Sequence, residues 1–247
     1  MYLNRLQEGA ILIADSHAAP WRTQFIDFLH ALDLGEIQTP QLILMGDNFD
    51  LLFGPIPSTH TLNEEGLNLL NRLSQKIEIW YFEGNHDFRL TSLFPHIRVI
   101  PLKRQPFFVE FQGKQIALLH GDIIVPLGYR IYTALIRNSS ILALLNLIDT
   151  LLGGVIIHWL CEQMQRKRHC KKIENFEHIA QRFEGEMWLE ECDMIIEGHY
   201  HQNRQFHFEK YNYINLGAFA CNERIYVVKS SQSQINLEEV IFQKEPR

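Results

Sequence analysis

Cysteine is scarce in this chain and forms no pattern: Cys161, Cys170, Cys192 and Cys221 give no C-x-x-C pair and no dense framework. Such usage fits thiols kept reduced in a cytosol, with structural roles. Excess positive charge is missing too. A formal net charge of −6 and a pI near 6.0 argue against a nucleic-acid binder that neutralises phosphates over a broad face, while leaving room for a local basic patch. No basic segment followed by a long apolar core occupies Met1 to Gly9, and the first apolar run, Ala10–Ala14, is only five residues long. A cleaved export signal is therefore not expected. Internal repeats and low-complexity segments are absent, and Tyr200–Arg204 and Ser230–Ser233 read as ordinary loops or turns.

What the chain does have is apolar material, 46% of 247 residues, enough to fill one sizeable core. One domain over 1–247 with an insertion is expected. Several short apolar runs stop abruptly at polar residues. Ala10–Ala14 meets Asp15, Leu42–Met45 meets Gly46-Asp47, and Ile79–Phe82 meets Gly84-Asn85-His86-Asp87. Later, Ile116–Leu119 meets His120-Gly121-Asp122 and Met194–Ile196 meets Gly198-His199-Tyr200-His201. Runs of this length bounded by turn formers read as buried strands. Helical periodicity lies between them, over Trp21–Leu34 (Phe25, Phe28, Leu29, Leu32) and Leu62–Gln75 (Leu67, Leu70, Leu73). Alternating strand and helix predict an α/β class. The tail reads as four consecutive strands, Gln205–Phe208, Tyr211–Leu216, Arg224–Val228 and Gln234–Phe242, predicting a second, more antiparallel sheet. A long helical stretch, Pro126–Arg182, is the candidate insertion or cap.

In an open α/β sheet, ligands gather where the carboxyl ends of strands converge. Five strand ends rich in Asp, Asn and His therefore point to one place. Asp15 and His17 are two apart, so if they extend the strand their side chains share a face; His199 and His201 repeat the spacing. A nitrogen and oxygen donor set without thiolate suits Mn²⁺, Zn²⁺ or Fe²⁺ better than Ca²⁺ or an iron–sulfur cluster, with Mn²⁺ the first choice. His30, His60, His96, His158, His169, His178 and His207 lie outside the motifs and read as surface or packing residues.

The motifs D-x-H, G-D-x-x-D, G-N-H-D, H-G-D and G-H-x-H, in this order from Asp15 to His201, resemble those of the calcineurin-like metallophosphoesterases. The resemblance implies a two-sheet β-sandwich flanked by helices, with a helical cap insertion at about 126–182. It also implies one metal on Asp15, His17, Asp47 and His201 and a second on Asp47, Asn85, His120 and His199, bridged by Asp47. Two cations about 3.5–4 Å apart can bind phosphate oxygens and hold a hydroxide in line with the scissile bond. In the resembling enzymes a histidine at the place of His86 contacts the phosphate or protonates the leaving oxygen, and Asp50 and Asp87 would orient histidines from behind the ligands.

Within that family the chain looks most like the UDP-2,3-diacylglucosamine pyrophosphatases of the lipid A pathway. Their helical insertion has a Tyr and an Arg-Asn pair, as Tyr129, Tyr132 and Arg137-Asn138 do here, followed by a basic helix, here Arg166, Lys167, Arg168, Lys171 and Lys172. Gly84-Asn85-His86-Asp87-Phe88 is similar to their G-N-R-D-F, and Tyr213–Ala218 to their closing strand. The resemblance implies a lipid-nucleotide substrate held by Asn85, His86, Tyr129, Arg137, Asn138, Arg166 and Lys167, with UMP as a product. Two positions depart from the pattern: His86 stands where the family has Arg, and Val125, Pro126, Leu127 and Gly128 replace acidic residues. A histidine can transfer a proton where an arginine only stabilises charge, so cleavage of other nucleotides, cyclic nucleotides or phosphoproteins stays open, as does a non-catalytic binding module. The segment Ile141–Leu160 is almost wholly apolar apart from Asn146, Asp149, Thr150 and His158. It reads as a membrane span burdened by Asp149, at about 2.5–3.5 kcal/mol, as cap core broken at Gly153-Gly154, or as an acyl-chain groove and membrane-surface dock beside the basic run. The expected location is cytoplasmic, with peripheral contact on the inner membrane.

Overall fold

The computed structural model describes residues 4–231 and 234–243. The chain opens with β1 (Ile11–Ile13), α1 (Gln24–Leu34), β2 (Gln41–Leu44), β3 (Leu52–Phe53), α2 (Pro57–Leu62), α3 (Glu64–Leu73), β4 (Glu78–Phe82), β5 (Asp87–Phe88) and β6 (Arg98–Ile100). β1, β2, β4 and β6 run parallel, side by side. Alternate residues of these strands serve two different cores. Ile11, Ile13, Leu44 and Tyr81 face Phe28 and Leu29 of α1 and Leu70 of α3, while Leu12, Ile43 and Phe82 face the opposite way, into a second core. Strands covered on both sides can have no polar face, which explains their unbroken apolar runs. α1 starts after Thr23, not at Trp21, because Ala19 and Arg22 exchange backbone hydrogen bonds across a tight turn. It ends at Gly35, whose φ of 78° is left-handed and suits a residue without Cβ.

The second half supplies β7 (Phe107–Phe111), β8 (Lys114–Leu119), α4 (Leu127–Ile136), α5 (Ser139–Leu151), α6 (Val155–Arg166), α7 (Phe176–Ala180), β9 (Met194–Glu197), β10 (Arg204–His207), β11 (Asn212–Asn215), α8 (Phe219–Asn222), β12 (Arg224–Ser231) and β13 (Gln234–Ile241). A five-stranded sheet in the order β10-β11-β9-β8-β7 stacks its Ile116, Leu118, Ile196 and Ile214 on the inner face of the first sheet. Its outer face, with Ala117, Ile195 and Tyr213, is covered by Phe176 and Phe183. The architecture is therefore the expected two-sheet sandwich flanked by helices.

The tail strands form but do not make a sheet of their own. β10 and β11 join β9, and β12 and β13 extend the first sheet beyond β1. The reason is that β11 pairs parallel to β9 whereas β12 pairs antiparallel to β1, and such long-range partners leave no local mark. The turn read at Ser230–Ser233 falls partly on 232–233, outside the described residues; Ser230 and Ser231 belong to β12.

Pro126–Arg182 contains α4 to α7, and the apolar stretch breaks at Gly153 (φ 68°) and Gly154 (φ 88°). Asp149 is buried because its carboxylate accepts from the amides of Ile156 and Ile157 and from Ser58 Oγ, capping α6 from the preceding helix. No single helix among the described residues is long and apolar enough to cross a membrane; α4 and α5 pass such a test only as a pair bent by 59°. Two expectations fail here. The basic run is not a helix, since α6 ends at Arg166 and residues 167–173 form an extended strap. Its backbone is engaged elsewhere: Ile173 N donates to Gln202 Oε1, and Lys171 O accepts from Gln202 Nε2. Nor are all four cysteines free thiols, because Cys170 and Cys221 are joined by a disulfide across 51 residues. Cys161 and Cys192 remain unpaired.

Candidate metal centre

All five polar motifs sit at carboxyl ends of strands, three on the first sheet (β1, β2, β4) and two on the second (β8, β9), so both sheets empty onto one site. Asp15 and His17 do not extend β1. They take left-handed φ values of 52° and 46°, as do Asp47 (50°), His199 (61°) and His201 (59°). Such backbone costs a non-glycine residue about 1–2 kcal/mol, and concentration of it at one site marks a function that the rest of the fold supports. Gly84 allows the close approach: a Cβ there would meet the Asp47 carboxylate.

The seven predicted ligands converge in two groups. Asp15, His17 and His201 offer ligand atoms within 4.8 Å of one another, and so do Asp47, His120 and His199. In the first group His201 Nε2 lies 3.0 Å from Asp15 Oδ1. In the second, His120 Nε2 is 3.5 Å from both Asp47 Oδ2 and Asn85 Oδ1 and 3.2 Å from His199 Nδ1. Each far ring nitrogen is tied down: His17 Nδ1–H donates to Asp50 (2.9 Å), His120 Nδ1–H to Met45 O (2.9 Å) and His201 Nδ1–H to His169 O (2.6 Å). These bonds leave three Nε2 lone pairs pointing inward. His17 Nε2 is buried without any partner, and ring nitrogens facing each other and a carboxylate need a proton or a cation between them. The donors therefore fit divalent metal ions.

Burial, reinforced by His86, holds His17 well below the usual imidazole value, and burial with His120 does the same for His199. Burial also works against a charged His120, but Asp47 outweighs it and lifts that imidazole. Burial pushes the Asp50 carboxyl up to about 7, against Arg22 and Lys167.

The remaining predicted residues divide. Asp50 Oδ1 accepts from His17 Nδ1–H. Asp87 orients no histidine: its carboxylate accepts from the amides of Asp47, Asn48 and Gly84 and from Tyr81 Oη, and so it shapes the loop that carries Asp47. His86 donates from Nδ1 to Asp50 O (2.8 Å), and its Nε2 accepts from Lys167 Nζ (2.9 Å). Tyr129 faces His199, ring centroids 6.4 Å apart. Arg137 spends Nη2 on Gly84 O (2.6 Å) and Asp122 (3.3 Å), pinning the end of α4 to the third motif. Asn138 caps α5 through the amides of Ser140 and Ile141, and exposed Arg166 faces Glu162; neither reaches the site. Two residues were not anticipated. Arg22 donates to His17 O and Asp50. His169, expected on the surface or in packing, lies 4.1 Å from the His17 ring, centroid to centroid, with Nε2 3.9 Å from Asp50 Oδ1 and neither ring nitrogen hydrogen-bonded. Nothing in their spacing would have found them.

A cavity of about 560 Å³ opens beside the cage. Asn85, His86, His199, Tyr129 and Lys167 form one end, and Phe88, Leu142, Leu145, Ile157, Leu160 and Met164 line the rest. A larger surface hollow of about 1240 Å³ between α1 and β13 shares no residue with the cage.

No family model matches the chain. It is 20% identical over 77% of its length to a UDP-2,3-diacylglucosamine hydrolase of Vibrio atlanticus, covering 79% of that protein. Proteins of the same name from Stutzerimonas stutzeri (25% identity, 78% of this chain, 81% of the relative) and Photorhabdus laumondii (27%, 78% and 81%) are also similar. Among solved structures, an archaeal phosphodiesterase aligns with 94% of this chain and 99% of its own at 11% identity and a TM-score of 0.44. With its five motifs gathered into one cage, the chain resembles the calcineurin-like metallophosphoesterases and, among named proteins, the UDP-2,3-diacylglucosamine hydrolases.

Proposed function

We propose that the chain is a dinuclear-metal hydrolase that cleaves the pyrophosphate bond of UDP-2,3-diacylglucosamine, giving UMP and 2,3-diacylglucosamine 1-phosphate. The observation that carries this reading is shared lining: Asn85, His86 and His199 belong both to the motif cluster and to the apolar cavity. A cleavable phosphate and an acyl chain would thus be held side by side. One cation would rest on Asp15, His17, Asp47 and His201, the other on Asp47, Asn85, His120 and His199, with Mn²⁺ the preferred ion. When bound, such ions supply an activated water and offset charge on the phosphoryl oxygens.

The protein's own groups then have separate tasks. Asp50, Met45 O and His169 O fix the ring orientations, so that the inward Nε2 atoms of His17, His120 and His201 are the ones offered to a cation. Neutral imidazole is the metal-binding form. His86 is not arranged as a proton donor: with Nδ1–H committed to Asp50 O, its Nε2 is an acceptor that aims the Lys167 ammonium at the edge of the cavity. Burial also holds its pKa down, with Lys167 adding to the effect and Asp47 opposing it. UMP leaves readily enough to need no acid, so a fixed cation beside the phosphates is sufficient. The exposed Leu127, Ile131, Leu135, Leu147, Leu151 and Trp159 of α4–α6 support peripheral docking on a membrane that presents the lipid.

The test is a parallel assay of UDP-2,3-diacylglucosamine and a soluble aryl phosphodiester with Mn²⁺. Faster turnover of the lipid nucleotide supports the assignment. Cleavage of the soluble ester alone would keep the hydrolase and reassign it to another nucleotide or phosphoprotein, and cleavage of neither would favour a binding module.

A further inference from the structure

The strap 167–173 crosses the first half of the cage and is anchored at one covalent point. Resting on the two-ion reading above, we infer that Cys170–Cys221 is a redox-released clasp that holds this half of the cage in order. Three contacts support the inference. The residue before Cys170 is His169, whose carbonyl accepts from His201 Nδ1 at 2.6 Å and whose ring packs on His17 at 4.1 Å. Cys221 lies on α8, whose Phe219 and Ala220 amides donate to Ala14 O and Asp15 O, so the disulfide ties the strap to the backbone that presents Asp15. His169 is only 8% exposed, and no hydrogen bond of its own ring holds it in place; its Nε2 lies 3.9 Å from Asp50 Oδ1.

In the other half of the cage, Asp47, Asn85, His120 and His199, the far ring nitrogen of His120 is fixed by Met45 O instead. Both bridging cysteines are exposed, within reach of a dithiol reductant. In that exchange the Cys170–Cys221 bond takes two electrons and two protons to become two thiols, and the dithiol becomes a disulfide. Freed from Cys221, the strap is left on its Gln202 side-chain bonds at Lys171 and Ile173, and it no longer fixes the His201 tautomer. Loss of such an outer hydrogen bond typically lowers metal affinity by about 10–100-fold, here for one ion of the two.

Metal content of the oxidised protein, of protein reduced with dithiothreitol and of Cys221→Ser would be measured after gel filtration in dilute Mn²⁺. Amide exchange across 167–173 would be followed in metal-free samples. The inference predicts two ions per oxidised chain, one per reduced or substituted chain, recovery of the second on reoxidation, and faster exchange at Ile173 on reduction. It is overturned if reduced and oxidised protein hold two ions equally well, if exchange at Ile173 is unchanged, or if Cys170 and Cys221 alkylate without prior reduction. An oxidised chain that binds no ion would sink the two-ion reading instead, while the exchange measurement would still decide whether the clasp exists.

Discussion

Asp47 reaches both halves of the cage: it lies with His120 and His199 in one group of donors and with His17 in another, and its Oδ1 accepts the His86 amide at 2.8 Å. Asp47→Ala should therefore abolish retention of both ions and lower turnover about a thousandfold, corresponding to the several kcal/mol that metal stabilisation supplies. Full metal content by mass spectrometry with retained activity would contradict the bridging role. His86 and Lys167 act as one unit, so His86→Ala and Lys167→Ala should cost similar factors and the double variant little more. The loss from His86→Ala should also be the same for good and poor leaving groups; a larger loss on poor ones would restore the acid. The cage was legible in sequence because seven donors stand in order at strand ends. Direction was not legible. A motif names a residue type without saying that Asp87 turns to backbone amides, that Asn138 caps a helix, or that Arg137 grips Gly84 O. His169 was invisible because a disulfide and Gln202, both remote in sequence, bring it in.

Strands and helices were mostly readable from apolar period, and their limits show what the period omits. Ile11–Ile13 and Gln41–Leu44 could be found because both faces are covered, whereas the partners of β10–β13 depend on pairings that no local pattern records. Two substitutions test how firmly these elements are fixed. Gly84→Ala places a methyl group against the Asp47 carboxylate and amide; overpacking of this kind costs about 1–3 kcal/mol, and thermal melting should show it together with weaker metal binding. A melting point and metal affinity equal to wild type would mean that the loop yields freely. The second concerns α1 and α3, joined by Asp33 to Arg72 (2.8 Å), with Lys76 beyond the end of α3 adding a second cation (2.7 Å). These cations hold the Asp33 carboxyl below its usual value, so its contribution is present above about pH 4 and lost as pH falls through the lowered folded value. Asp33→Asn should melt below wild type at pH 7, by little because the pair is exposed, and the difference should shrink toward pH 3. A gap that widened in acid would contradict this.

At the scale of the whole molecule, two sheets bring metal donors to one rim, and helices α4–α6 add an apolar cavity and an apolar outer face. Leu147 and Leu151 are exposed on α5, and replacing both with Asp should weaken sedimentation with anionic lipid vesicles while leaving Mn²⁺ binding intact. Unchanged vesicle binding would mean that the cap face meets something else. The central claim joins metal chemistry to a lipid nucleotide, and one titration tests both. Chelator-stripped protein is supplied with Mn²⁺ in steps while UMP release from UDP-2,3-diacylglucosamine is followed. The account predicts no release without metal and a plateau reached only as the second equivalent binds; release from the stripped protein, or none with two ions bound, would contradict it.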